Sequence, residues 1–202
     1  MTKFSFVSAL LVSSLFLFQL QLQAQDTLRN KKDGNYIFTV KKDIEANEVQ
    51  NQNRTGTCWS FSALSFMESE LMRMGKGKHK LSEMYIVRKA YEDKAENYVR
   101  MHGTANFSQG GAFHDIPHVI KKYGIVPQEA YKGLNYGLES HNHSEMEAAL
   151  KGFLDAIIAN KQGKLTTSWK PAFNAILDAY LGALPENFTY QGKSYTPTSF
   201  AE

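Results

Sequence analysis

The chain has 202 residues, 43% of them hydrophobic, which is enough apolar content for one packed domain. Its formal net charge is +3 and its basic residues are scattered, which argues against nucleic acid as a partner. The densest basic run, Lys76, Lys78, His79 and Lys80, flanks glycines and reads as a solvated loop.

Lys3 precedes a mostly apolar run from Phe4 to Leu20, followed by Gln21-Leu22-Gln23-Ala24-Gln25. A basic start, an apolar core and a small residue at the cut predict a secretory signal peptide over residues 1–24. An uncleaved anchor is the alternative, since the run approaches the length that spans a bilayer. The polar residues inside it favour cleavage, and no other segment is apolar enough to cross. The expectation is an exported protein, periplasmic or secreted, with no stable membrane anchor after cleavage. Residues 25–44 then form a lead-in: Asp26–Gly34 is polar and flexible, and Tyr36–Val40 has the β-branched and aromatic content of a strand. Lys41–Asn53 lacks periodicity and reads as a loop.

Phe61, Leu64, Met67 or Glu68, and Leu71 or Met72 recur at helical spacing, predicting a helix from Cys58 to about Met74 that ends at Gly75-Lys76-Gly77. A second helix starts at Leu81-Ser82-Glu83, with Ser82 as N-cap, and runs to about Met101. His102–Gly111 is a glycine-rich loop, and Ala112–Tyr123 a third helix closed by Gly124 and Pro127. Tyr131–Ser144 is loop-like. Helices follow over Glu145–Asn160 and from Pro171 to about Leu181, the latter with proline in its first turn. Phe188–Thr196 reads as two short strands around a glycine turn.

The sole cysteine, Cys58, opens the first helix. A thiol there sits beside unpaired backbone N–H groups and the positive end of the helix dipole, a setting that suits a nucleophile. A lone cysteine can equally be a small buried hydrophobe. In an exported chain with no partner for an internal disulfide, it is left for an intermolecular bridge or a reactive thiol.

Gln52, Gly56, Cys58, Trp59, Phe61 and Ser62, at their spacing, resemble the active-site segment of the papain-like cysteine peptidases. Further pieces follow in that family's order: Glu68, Leu81-Ser82-Glu83, Gln109-Gly110-Gly111 and Tyr123-Gly124-Ile125. The resemblance covers residues 45 to 135. It implies an α+β papain-like fold, present mainly as its nucleophile-bearing helical half, so that residues 45–202 form a partial peptidase domain. It also implies that Cys58 is the nucleophile, that Gln52 helps bind the oxyanion, and that Gly110 and Gly111 admit a peptide or protein substrate. No cofactor is implied. Thr55 stands where papain has a disulfide cysteine, and no cysteine accompanies Gly110-Gly111. Both departures direct the resemblance to the disulfide-free branch of bleomycin hydrolase and bacterial aminopeptidase C. The stretch from about 140 to 185 looks like that branch's helical insertion. Ring assemblies in the branch make a homo-oligomer a possible state, whereas its usual cytoplasmic location departs from the export expected here.

In papain the histidine and asparagine lie roughly 130–150 residues beyond the cysteine, at or past the end of this chain. His143, the last histidine, falls well short of that. His141 and His143 read as solvated in a polar loop, and His79 and His102 flank loops. His114 and His118, four apart on the third helix, have no third ligand, so no metal site is expected. None of the six histidines is assigned a catalytic role. The chain therefore reads as an N-terminal fragment, inactive alone, of a cysteine-type peptidase, most like an aminopeptidase. The alternative is a non-catalytic binding protein that keeps a papain-like cleft.

Overall fold

A computed structural model describes residues 27–161 and 163–202; the expected signal peptide lies outside them. The chain divides into two units, one ending at Ile44 and the other spanning Glu45–Glu202. In the first, residues 27–34, expected as part of a flexible lead-in, hold a strand and a closed turn. Thr27–Arg29 (β1) pairs antiparallel with Ile37–Thr39 (β2), Leu28 facing Phe38. The Gly34 N–H donates to the Lys31 carbonyl at 2.9 Å and the Arg29 guanidinium to the Gly34 carbonyl at 3.0 Å, closing the turn. β1 escapes notice in the sequence because three residues carry no alternation to read.

The second unit is mainly helical: α1 Cys58–Arg73, α2 Glu83–Arg100, α3 Asp115–Tyr123, α4 Ser144–Ile158, α5 Trp169–Leu181 and α6 Pro197–Ala201. A hairpin of Phe188–Tyr190 (β3) and Lys193–Tyr195 (β4) lies between α5 and α6. With a small sheet in each unit and helices in the second, the architecture is α+β, as expected of the helical half of a papain-like fold. No helix among the described residues is long and apolar enough to cross a membrane.

α2 is the hub, packing against α1, α3, α4 and α5. With neighbours on several sides it buries ten of its eighteen residues, including Arg88, where an ordinary surface helix buries one stripe. The Arg88 guanidinium pairs through Nε with Glu92 at 3.1 Å and through Nη2 with Asp178 of α5 at 2.9 Å, while its buried Nη1 has no partner among the described residues. Leu64 of α1, Ile86 and Val87 of α2, Ile116 of α3, Leu150 of α4 and Leu177 of α5 meet in one core.

The termini of these helices follow from their residues. Ser82 caps α2, its hydroxyl accepting the Tyr85 N–H at 3.0 Å while donating to the Tyr131 carbonyl at 2.6 Å. α1 ends in a Schellman motif, with Lys76 N–H on the Leu71 carbonyl and Gly75 N–H on that of Met72, both at 2.9 Å. α3 begins at Asp115 rather than Ala112. The Asp115 carboxylate accepts the Ala112 N–H at 2.7 Å, so residues 112–114 turn instead of extending the helix. α6, a short element not expected from the sequence, carries a capping box between Thr196 and Ser199. Its Phe200 ring sits 5.2–5.5 Å from those of Phe188, Tyr190 and Tyr195.

Candidate active site

Cys58 is the first residue of α1 and its thiol is exposed. The turn before it is closed by its own side chains. Gln52 Nε2 donates to the Thr55 carbonyl at 2.5 Å, and Thr55 Oγ1 returns a bond to the Gln52 carbonyl at 3.0 Å. Thr55 and Thr57 are both buried, with their hydroxyls 2.5 Å apart. One Gln52 amide hydrogen is thus engaged locally and the other has no partner among the described residues. The Cys58 N–H also has no acceptor among them, as expected for an amide in a helix's first turn. A thiol and a free N–H therefore share one exposed helix start, which is the arrangement that acyl transfer by a nucleophile with an oxyanion donor requires.

The Gly110-Gly111 segment stands beside this turn as a wall held by side chains from α1, α2, α3 and α4. Trp59 of α1 donates its indole N–H to the Gln109 carbonyl at 3.0 Å. Lys94 of α2 reaches the carbonyls of Ser108, at 3.2 Å, and Gly110. Asp115 of α3 holds Ala112, and Glu147 of α4 accepts the Gln109 N–H at 3.2 Å. Burial pushes the Lys94 ammonium below its usual range, while Asp115 and Glu147 oppose that shift. A Cβ on Gly111 would lie 2.5 Å from Trp59, so the indole needs a glycine there. A Cβ on Gly56 would lie 2.9 Å from Cβ of Gln109, so the turn and the wall touch where neither could carry more bulk.

Residues 37–171, about two thirds of the chain, match the family model for papain family cysteine proteases. The chain belongs to that family. It is similar to aminopeptidase C of Lactobacillus delbrueckii subsp. lactis, 26% identical over 84% of this chain and 43% of that protein. It is also similar to aminopeptidase W of the same organism, 28% identical over 64% of this chain and 31% of the relative. The mitochondrial cysteine proteinase 1 of Saccharomyces cerevisiae is 27% identical over 56% of this chain and 28% of its own length. This papain-family chain thus spans less than half the length of the relatives it matches.

Two acids of the papain-like pattern, Glu68 of α1 and Glu83 of α2, are buried. Glu68 accepts the Leu81 N–H at 2.7 Å and the Asn47 amide at 2.8 Å. Burial, reinforced by the neighbouring Glu68, pushes the Glu83 carboxyl up to about 7.

His141 and His143 are not the solvated loop residues that their polar context suggests. His143 is fully buried and neither ring nitrogen has a hydrogen-bond partner among the described residues. Burial first, and then the His141 ring, push His143 down to about 4. The cause lies in the backbone: the Arg54 N–H donates to the His141 carbonyl at 3.0 Å and the His143 N–H to that of Arg54 at 3.3 Å. Segment 141–143 thereby packs along the turn that leads to Cys58. Of the remaining histidines, His118 faces Asp93 at 3.2 Å, His114 is exposed beside Asp115, and His79 bonds Tyr190 and the Lys76 carbonyl.

Lys94 and Glu147 are site-building residues that the sequence reading passes over, and Gln109 is one that it names in the motif without giving it a role. Adjacency to the glycine pair is a signal for Gln109. Glu147, in the first turn of a helix, looks in the sequence only like a favourable charge at the dipole's positive end.

Proposed function

We propose that this chain carries the nucleophile half of a cysteine aminopeptidase. In this reading Cys58 Sγ attacks the scissile carbonyl carbon, and the oxyanion is received by the Cys58 N–H and the Gln52 amide. Gly110 and Gly111 form the wall along which the peptide backbone lies, since glycine leaves room for close approach. An imidazole takes the thiol proton and returns it to the leaving amine. No histidine among the described residues bonds Cys58, so in this reading the imidazole is supplied from outside them and the described residues alone are inactive. The substrate is a peptide or protein, and the protein is exported, as the composition of residues 1–24 suggests; N-terminal sequencing of the mature protein tests that directly.

The observation that carries the reading is an exposed thiol and an unpaired N–H at one helix start in a papain-family chain. The relatives named aminopeptidase support the choice of subtype. The test is hydrolysis of an aminoacyl fluorogenic amide and of an internally quenched peptide by the complete gene product and its Cys58→Ala variant. Cleavage of the amide, abolished in Cys58→Ala, is expected. Cleavage of the quenched peptide alone would make the protein an endopeptidase. Absence of both activities would favour a binding protein that keeps the cleft.

A further inference from the structure

Glu147 belongs to α4, away from the residues that carry the chemistry, yet its carboxylate is wired to the nucleophile turn. It accepts the Gln109 main-chain N–H at 3.2 Å and the Gln109 side-chain amide N–H at 2.5 Å. Gln109 Oε1 in turn accepts the Gly56 N–H at 2.7 Å, two residues before Cys58. A carboxylate only accepts hydrogen bonds, whereas a glutamine amide has one accepting end and one donating end. Glu147 therefore fixes which way Gln109 points: the NH2 group must face the carboxylate and the oxygen must face Gly56. Neutralise or remove the carboxylate, and the amide is free to turn and offer an N–H to the Gly56 N–H. The chain has one cysteine, so these segments have no covalent cross-link of their own.

We propose that Glu147 is a positioning residue that holds the Cys58 turn in register with the glycine wall through Gln109. This rests on Cys58 being the nucleophile. The relay sets the distance between the thiol and the peptide lying on the wall, and small errors in that distance carry large rate costs. Its polarity can also be reversed. In the Q109E/E147Q pair the amide introduced at position 147 donates to the carboxylate introduced at position 109, whose other oxygen still accepts the Gly56 N–H. The carbonyl oxygen of that introduced amide still accepts the main-chain N–H of position 109, and the net charge is unchanged.

The experiment compares wild type, Q109E, E147Q and Q109E/E147Q in the complete protein, well below every variant's unfolding midpoint. Q109E sets two carboxylates against each other and is expected to lower kcat by about tenfold or more, with KM moving less than about threefold. The double variant is expected to recover to within about threefold of wild type. A structural signature should run in parallel. The Trp59 indole N–H bonds Gln109 and is one of only two such groups in the chain. Its NMR resonance is expected to shift in Q109E and return in the double variant. An unchanged kcat with an unmoved Trp59 resonance in Q109E, or a double variant no better than Q109E, overturns the proposal. If the wild type cleaves no peptide, the nucleophile reading fails separately. The relay is then read from the Trp59 resonance and from the rate at which iodoacetamide alkylates Cys58: loss and rescue support it, and no change overturns it.

Discussion

A Cβ on Gly111 would lie 2.5 Å from Cε2 of Trp59, whereas one on Gly110 would meet nothing nearer than Ser108 Oγ at 3.9 Å. The fold needs Gly111 to be a glycine, while Gly110 faces open space, where only an incoming molecule would notice a side chain. Gly111→Ala is expected to cost about 1–3 kcal/mol by overpacking, measured by urea denaturation. Gly110→Ala should change stability by less than about 0.5 kcal/mol while raising KM for peptides severalfold. A Gly110→Ala variant that unfolds like Gly111→Ala would remove the substrate-facing role. This distinction is not legible in the sequence, where the two glycines are equivalent members of one motif. Cys58, Gly56 and Trp59 are legible because their spatial relation is local, fixed by a few bonds of one turn and one helix. Glu147 is not, because its partner is chosen by how α4 packs.

Among the elements, those marked by chemistry at their ends are readable. Ser82 is identifiable as the α2 cap from its place before an acidic first turn, and Gly75 as the stop of α1. The N-cap is also the more consequential of the two, because its hydroxyl satisfies the Tyr131 carbonyl as well. Ser82→Ala is expected to lose about 2–3 kcal/mol, combining a missing cap with an unpaired buried acceptor. A loss below about 0.5 kcal/mol in chemical denaturation would contradict that. β1 and α6 are too short for periodicity to register. The start of α3 departs from the pattern because Ala112 and Phe113 fit a helix by type, while a side-chain bond from Asp115 redirects the backbone. His141 and His143 depart for a related reason: a His-Asn-His sequence says nothing of the Arg54 backbone that draws it inward.

At the scale of the whole molecule, two buried groups set opposite limits on stability with pH. Glu83 is raised from 4.5 to about 7 by burial, so between those values the folded state holds a proton that the unfolded state has released. Its contribution is complete below about 4.5 and is lost as pH rises through 7. His143 is lowered from 6.5 to about 4; the unfolded chain takes up a proton that the folded one refuses. Its contribution is present above 6.5 and is lost as pH falls through 4. Each span corresponds to roughly 3 kcal/mol. Glu83→Gln is therefore expected to gain stability relative to wild type between about pH 5 and 8. His143→Gln should flatten the loss between pH 6.5 and 4. Thermal midpoints across that range, with parallel curves for variant and wild type, would show that the corresponding group does not titrate as described.

The threading of Arg54 between His141 and His143 also has a consequence in time. The turn that presents Cys58 is bonded to backbone made far downstream. While the nascent chain is short of His143, those bonds have no partner, however early α1 and α2 coil. The thiol is translated among the first elements of its unit, yet its setting is finished only after the segment before α4 has left the ribosome and docked. A papain-family chain whose Cys58 turn acquires its final geometry late in synthesis does not present that turn, fully formed, while it is incomplete.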